Sequence, residues 1–229
     1  MITVATFNTH HGRPPRGLTS NGLLESAVAG LQADVVGLQE VERHVVRSWF
    51  RHQPAAIARA AGMNYVYAPA RRFAVTGDDG IALLVRGEIL RSSSVMLPHA
   101  NRNERRTAIV ARVRVANREM TVATTHLHNG APLVAQRQLD AVVEMLDAEP
   151  GPHLLLGDLN IGSRRVAPHL SPGLVLAGGD PTFPASKPTQ RIDHVAARAM
   201  SIDSVTVQRL AVSDHCALTA GLGGLDSIV

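Results

Sequence analysis

Residues able to bind a metal or move a proton fall at the ends of apolar runs in this sequence. Asn8 closes the run 2–8, Glu40 follows 35–38, His126 closes 119–126, and Asp158 and Asn160 follow 153–156. Asp193 sits inside Arg191-Ile192-Asp193-His194-Val195, and Asp214 and His215 directly precede 216–220. Short apolar strands bury their bodies and project their ends. Such ends, carrying amide, carboxylate and imidazole, are expected to converge on one rim of a sheet core. Carboxylates gathered so closely repel one another unless a cation is present. The donor set is rich in oxygen and suits Mg²⁺ or Mn²⁺ rather than structural zinc. Metal-assisted acid–base chemistry is what such a set can support.

Each piece alone also has an ordinary structural reading. Gly157-Asp158-Leu159-Asn160 is a respectable turn. Glu40 after Gln39 reads equally as a solvated strand end. Ser213-Asp214-His215 reads as a cap or turn, and His126 as a hydrogen-bonded core histidine.

The elements that must position these residues are many short strands and few helices. Strands are expected at 2–8, 35–38, 81–85, 105–115, 119–126, 153–156, 192–196, 202–208 and 216–220. The pair 105–115 and 119–126 reads as a hairpin turning around Asn117-Arg118. Helices are expected at 23–31, with Asn21 as a possible cap, at 55–61 after Pro54, and at 133–146, which Pro150-Gly151-Pro152 stops. Residues 162–189 read as loop. Strand-dominated order with a few helices implies sheets packed face to face with helices outside.

Composition narrows the class. The chain has 229 residues, 45% of them hydrophobic, and a net charge of +4. That is too apolar and too weakly charged for overall disorder, and one large domain spanning residues 1–229 is the simplest expectation. A single cysteine, Cys216, excludes a disulfide scaffold. No apolar stretch approaches the roughly 18 residues needed to span a bilayer. The first eight residues read as a strand, not as a basic region leading into an apolar one, so a cytoplasmic protein is expected. Lys187 is the only lysine among 23 basic residues, so the positive charge is almost entirely arginine, whose forked donors suit phosphate.

Seven motifs follow one another in order. They are Thr6-Phe7-Asn8-Thr9-His10-His11-Gly12, Val36-Gly37-Leu38-Gln39-Glu40-Val41, Gly80-Ile81-Ala82-Leu83-Leu84, Thr125-His126-Leu127, Leu156-Gly157-Asp158-Leu159-Asn160, Arg191-Ile192-Asp193-His194 and Ser213-Asp214-His215. Together they resemble the endonuclease/exonuclease/phosphatase superfamily, the DNase I-like fold, over residues 2 to about 220. His-His-Gly after Asn8, and Thr182-Phe183-Pro184-Ala185, look most like its small bacterial members. The resemblance implies an α+β chain in a four-layer α/β/β/α sandwich. It implies that Glu40 binds the metal, with Asn8 beside it and Asp214 nearby. Asp158 and Asn160 match the pair that positions the attacking water. His215 matches the histidine touching the phosphate, and Asp193 the carboxylate orienting it. His126 sits where nuclease members carry a second histidine. Asp78 and Asp79 fall where a carboxylate pairs with that histidine in pancreatic-type enzymes, Asp79 being favoured. Arg106, in Glu104-Arg105-Arg106, fits a recurring Glu-x-Arg pattern, or is a structural ion pair. His10 and His11 face the rim, placed for substrate or a second metal. His194 is expected to pack.

The chemistry agrees with these roles. Phosphoester hydrolysis needs in-line attack by water and stabilisation of phosphoryl charge. A cation on Glu40 acts as Lewis acid, Asp158 as base, and an imidazole held by Asp193 as cationic donor. The expected function is a metal-dependent phosphoesterase using Mg²⁺ or Mn²⁺ on a phosphorylated substrate, working as a monomer. A nonspecific nuclease acting on DNA or RNA is the alternative, and a catalytically silent binding domain on the same fold a third reading. Aromatic residues make up only 3%, so platforms for base stacking are scarce. Trp49-Phe50 is expected to be a packed helix edge rather than a lipid contact.

Overall fold

The computed structural model describes residues 1–99 and 105–224. Glu104 of the Glu-x-Arg pattern therefore lies outside the described residues. The chain runs β1 (Ile2–Asn8), α1 (Asn21–Gly30), β2 (Val35–Arg43), α2 (Gln53–Ala61), β3 (Asn64–Arg72), β4 (Asp78–Val85) and β5 (Glu88–Met96). It continues through β6 (Thr107–Val115), β7 (Arg118–His126), α3 (Pro132–Asp147), β8 (His153–Asp158), α4 (Ser163–Val166), β9 (Val175–Leu176), β10 (Asp193–Arg198), β11 (Ile202–Arg209) and β12 (Cys216–Leu222).

The strands form two six-stranded sheets, ordered β11-β12-β1-β2-β4-β3 and β5-β6-β7-β8-β10-β9. Side chains alternate between the two faces of each strand. Ile2 and Val4 of β1 join Leu154 and Leu156 of β8 in a core between the sheets. Ala5 and Phe7 of β1 point the other way, under Leu24 and Val28 of α1 and Ile57 of α2. Leu155 of β8 packs beneath Leu139 and Val142 of α3. Helix, sheet, sheet and helix thus stack in four layers, as the resemblance implies. Burial on both faces explains why these strands read as unbroken apolar runs. Gly37 lies where β2 faces β7 and β8 at close range. A Cβ there would sit 2.5 Å from Thr124 Oγ1 and 3.1 Å from Leu156 Cβ.

Each sheet holds one parallel pair, β1–β2 crossed over by α1 and β7–β8 crossed over by α3. The carboxyl ends of these four strands carry Asn8, Glu40, His126 and Asp158. Strands β10 and β12 run antiparallel to β8 and β1, so their beginnings, Asp193 and Cys216, lie at the same rim.

Several boundaries differ from expectation. β3, β5 and β9 lack the apolar pattern of a buried strand: all three are sheet edges, and most of β5 is exposed. β2 continues past Leu38 to Arg43 across a bulge. The β6–β7 hairpin turns at Ala116-Asn117, both with positive φ, one residue earlier than expected. α1 begins at Asn21 after the capping position Ser20, and the Asn21 amide instead donates to the Ser48 carbonyl. α2 starts at Gln53, with Pro54 in its first turn, and α4 and β9 interrupt the loop 162–189. Trp49 and Phe50 are not packed. They are 70% and 58% exposed, on a tight turn whose φ angles of 56° and 55° swing them off the body.

Candidate active site

Asp158 is the hub of the rim. Its carboxylate is buried and accepts the Asn8 amide at 2.9 Å and the Asn160 backbone N–H at 3.0 Å. His126 Nε2 lies 3.4 Å and His215 Nε2 3.8 Å from Asp158 Oδ2. Burial first, and then the charge of Asp193, push the Asp158 carboxyl up to about 7. A bound cation acts in the opposite sense. A carboxylate poised there can take a proton from water near neutrality.

His215 stands on a built support. Its Nδ1 donates to Asp193 Oδ2 at 3.0 Å, and Asp193 in turn accepts the Thr182 hydroxyl at 2.5 Å. The turn before it is pinned to the end of β1: Ser213 Oγ donates to the Asn8 carbonyl at 2.7 Å and accepts the His215 N–H at 3.0 Å. The Phe183 ring leans on the imidazole at 4.7 Å between centroids. Burial alone would lower the His215 pKa. The carboxylates of Asp193, Asp158 and Asp214 outweigh it and raise the imidazole to about 9. His126 carries no such support, and burial, aided by Arg106 and His215, holds it neutral with a pKa well below the ordinary range. The two histidines therefore sit in opposite protonation states a few ångströms apart.

Glu40 owes its position to the bulge in β2. The register slips between Gln39 and Val41, and Glu40 adopts φ 56°. Such a bulge re-aims a side chain that regular pairing would hold in the sheet. Glu40 Oε1 lies 3.3 Å from the Asn8 amide nitrogen, and Oε2 lies 3.1 Å from His11 Nε2. His10, His11 and Gly12 follow β1 with φ angles of 44°, 60° and 75°. Left-handed backbone in side-chain-bearing residues costs free energy and clusters at functional sites. Burial and the Arg47 charge lower the His11 pKa to about 3.

One open cleft unites Asn8, Glu40, His126, Asp158, Asn160 and His215, and Asp214 and Arg106 also line it. His10 reaches Asp214 Oδ1 at 3.6 Å. A second pocket continues past Glu40 and Arg106 toward Asp79 and Arg71. Asp79 does not reach His126 among the described residues. Its carboxylate takes Arg71 at 2.6 Å and lies 3.7 Å from Arg47, because β4 starts on the far side of Glu40. Asp78 is committed to Arg43 and the Tyr67 hydroxyl. His194 is fully buried, with Nε2 2.9 Å from the Ile161 carbonyl.

The residues present fit a divalent cation. The rim concentrates carboxylates, and two of their oxygens, Glu42 Oε2 and Asp193 Oδ1, are buried without a hydrogen-bond partner among the described residues. His11, Glu42 and Asp79 form one group whose potential ligand atoms all lie within 4.8 Å, and Asp158, Asp193 and His215 form another. Sequence reasoning missed Glu42, Arg47, Thr182 and Phe183 as parts of the site. Glu42, two residues beyond Glu40, left a local signal, and Thr182 and Phe183 lie in the run Thr182-Phe183-Pro184-Ala185 noted above without a role.

Fold and site together define a two-sheet sandwich that gathers carboxylates, amides and histidines at one rim. The chain belongs to the endonuclease/exonuclease/phosphatase family, whose model matches residues 5–215. Among solved structures it is similar to an endonuclease/exonuclease/phosphatase from Beutenbergia cavernae DSM 12333, at 22% identity and TM-score 0.77, over 98% of this chain and 72% of that one. It is similar to the mannosyl-6-phosphatase of Bacteroides thetaiotaomicron VPI-5482, at 18% identity and TM-score 0.70, over 97% of this chain and 99% of that one. A humanized D. rerio TDP2 matches at 18% identity and TM-score 0.72, over 97% of this chain and 98% of that one. No curated protein matches the sequence. Among the described residues no helix is long and apolar enough to cross a membrane.

Proposed function

We propose that the chain is a divalent-metal-dependent phosphoesterase that transfers a phosphoryl group directly to water, acting as a cytoplasmic monomer. The observation that carries this reading is the pairing of a buried carboxylate, Asp158, raised to about 7, with a cationic imidazole, His215, raised to about 9, across one cleft. The carboxylate can accept a proton while the imidazole offers a charged hydrogen bond to the same group.

Glu40, with Asn8 and Asp214, would hold the cation. Mg²⁺ or Mn²⁺ bound there supplies Lewis-acid stabilisation of charge on the phosphoryl oxygens. Asp158 accepts the proton of the attacking water, and Asn160 directs that water. His215 donates to a phosphoryl oxygen while Asp193 and Thr182 hold the ring still. His126 stays neutral and adds a hydrogen bond without adding charge. No side chain is required as a covalent nucleophile. The compact cleft favours a small phosphomonoester or phosphodiester. The arginines Arg71 and Arg106 along the adjoining pocket favour, as a second reading, the backbone of DNA or RNA.

The test is hydrolysis of p-nitrophenyl phosphate, bis-p-nitrophenyl phosphate, supercoiled plasmid and a phospholipid, each with Mg²⁺, Mn²⁺ or EDTA. Activity is expected to vanish in EDTA and to fall by about 10²–10⁴ in Asp158→Asn. The preferred substrate selects between the two readings. Equal rates in the native and Asp158→Asn proteins would overturn the assignment of the site. Metal binding with no hydrolysis of any of these substrates would favour the silent binding domain.

A further inference from the structure

The His11 ring has two faces with different partners. Nδ1 lies 3.0 Å from the Glu40 backbone carbonyl and 3.5 Å from Glu42 Oε1. The one donor near it, Arg47 Nη2, is 3.4 Å away and bonded to Glu42 Oε1 at 2.5 Å. Two acceptors, one at ordinary hydrogen-bond length, put the proton on Nδ1. The lone pair is then on Nε2, and Nε2 faces Glu40 Oε2 at 3.1 Å. Two acceptors cannot hydrogen-bond to each other. At that separation the two atoms are reconciled either by a second proton on the imidazole or by a cation between them. The spacing is that of neighbouring ligands on one ion, since an octahedron with bonds of about 2.1 Å has edges of about 3.0 Å.

The backbone supports the same conclusion. His10, His11 and Gly12 all have positive φ, and Glu40 has φ 56°. Both facing side chains are thus delivered by left-handed backbone, one from the turn after β1 and one from the β2 bulge. Strain of this kind persists only where surrounding structure over-determines it. Here Gln53 fixes the turn, its amide donating to the His11 carbonyl at 2.9 Å while its oxygen accepts the Glu42 N–H at 2.9 Å.

We propose that His11 is a nitrogen ligand of the cation held by Glu40, and that the site therefore takes a first-row transition ion such as Mn²⁺ in preference to Mg²⁺. This rests on the metal-dependent reading above. Imidazole suits transition ions, whereas Mg²⁺ prefers oxygen ligands and water.

The experiment is Mn²⁺ binding to the metal-free protein, followed by electron paramagnetic resonance, with Mg²⁺ as competitor. Pulsed measurements on the Mn²⁺ complex read nitrogen coupling. The native complex is expected to show coupling from a directly bound imidazole. His11→Asn, whose side chain tolerates left-handed backbone, is expected to lose that coupling. It should bind Mn²⁺ about 10–100-fold more weakly, with Mg²⁺ weakened by less than about threefold. Absence of coupling in the native complex overturns the proposal without reference to the variant's folding. So does coupling that survives in a folded His11→Asn, or an unchanged Mn²⁺/Mg²⁺ ratio. Failure to bind either ion would overturn the metal-dependent reading itself, which keeps the two failures distinct.

Discussion

At the scale of single residues, the site works by giving similar groups different surroundings. His215 and His126 face one carboxylate, yet only His215 has Asp193 behind it. Under the proposed mechanism Asp193 positions His215, and its removal has a defined signature. The native pH–rate profile should fall above about 9 as His215 loses its proton. Because Asp193 raises that pKa, Asp193→Asn should move the alkaline limb down by more than one unit and lower kcat by about 10²–10⁴. A drop in kcat with no movement of the limb would mean Asp193 only props the fold. Most of these residues were legible in the sequence because strand ends and ordered motifs mark them. The supporting groups were not. Thr182 meets Asp193 from a loop eleven positions away, and Arg47 meets Glu42 only after the exposed turn folds back. Asp79, favoured as the partner of His126, meets Arg71 and Arg47 among the described residues, and position in a motif does not fix which neighbours a strand start meets.

At the scale of elements, two crossover units aim four strand ends at one rim, and the docking of the two sheets sets their separation. Gly37 marks a close approach in that docking. Gly37→Ala would force the added methyl against Thr124 and Leu156. It should cost about 1–3 kcal/mol of stability in urea unfolding and lower activity, since Asn8 and Glu40 come from one sheet and His126 and Asp158 from the other. Loss of neither would mean the sheets have slack. Central strands were readable because burial on both faces leaves an apolar run. The edge strands β3 and β5 were not, since Asn64–Arg72 and Glu88–Met96 are held by pairing on one side, β5 being mostly exposed and β3 exposed at both ends. The bulge at Glu40 was unreadable as well, because no glycine marks it and only pairing with β4 reveals the slip.

At the scale of the whole molecule, the buried ionisable groups set the stability profile of the metal-free protein. His11 and His194 have folded pKa values of about 3 and about 4, below the usual 6.5, so they contribute stability above 6.5 that is lost as pH falls. His215 is raised to about 9, so its contribution is complete below 6.5 and lost as pH rises to 9. Melting temperature in EDTA should therefore peak near neutrality and decline on both sides. Asp193→Asn should flatten the alkaline decline. A native profile that stays level from 7 to 9.5 would contradict the state assigned to His215. The sheet order carries one more consequence, for the chain as it is made. β1 lies between β12 and β2, so once made it waits for residues 216–222 before its second edge is paired. Asn8 is synthesised early and His215 some two hundred positions later, and Ser213 ties them together. A nascent chain stalled before that last strand has nearly every site residue and no site, so premature release yields inert protein rather than an unregulated hydrolase.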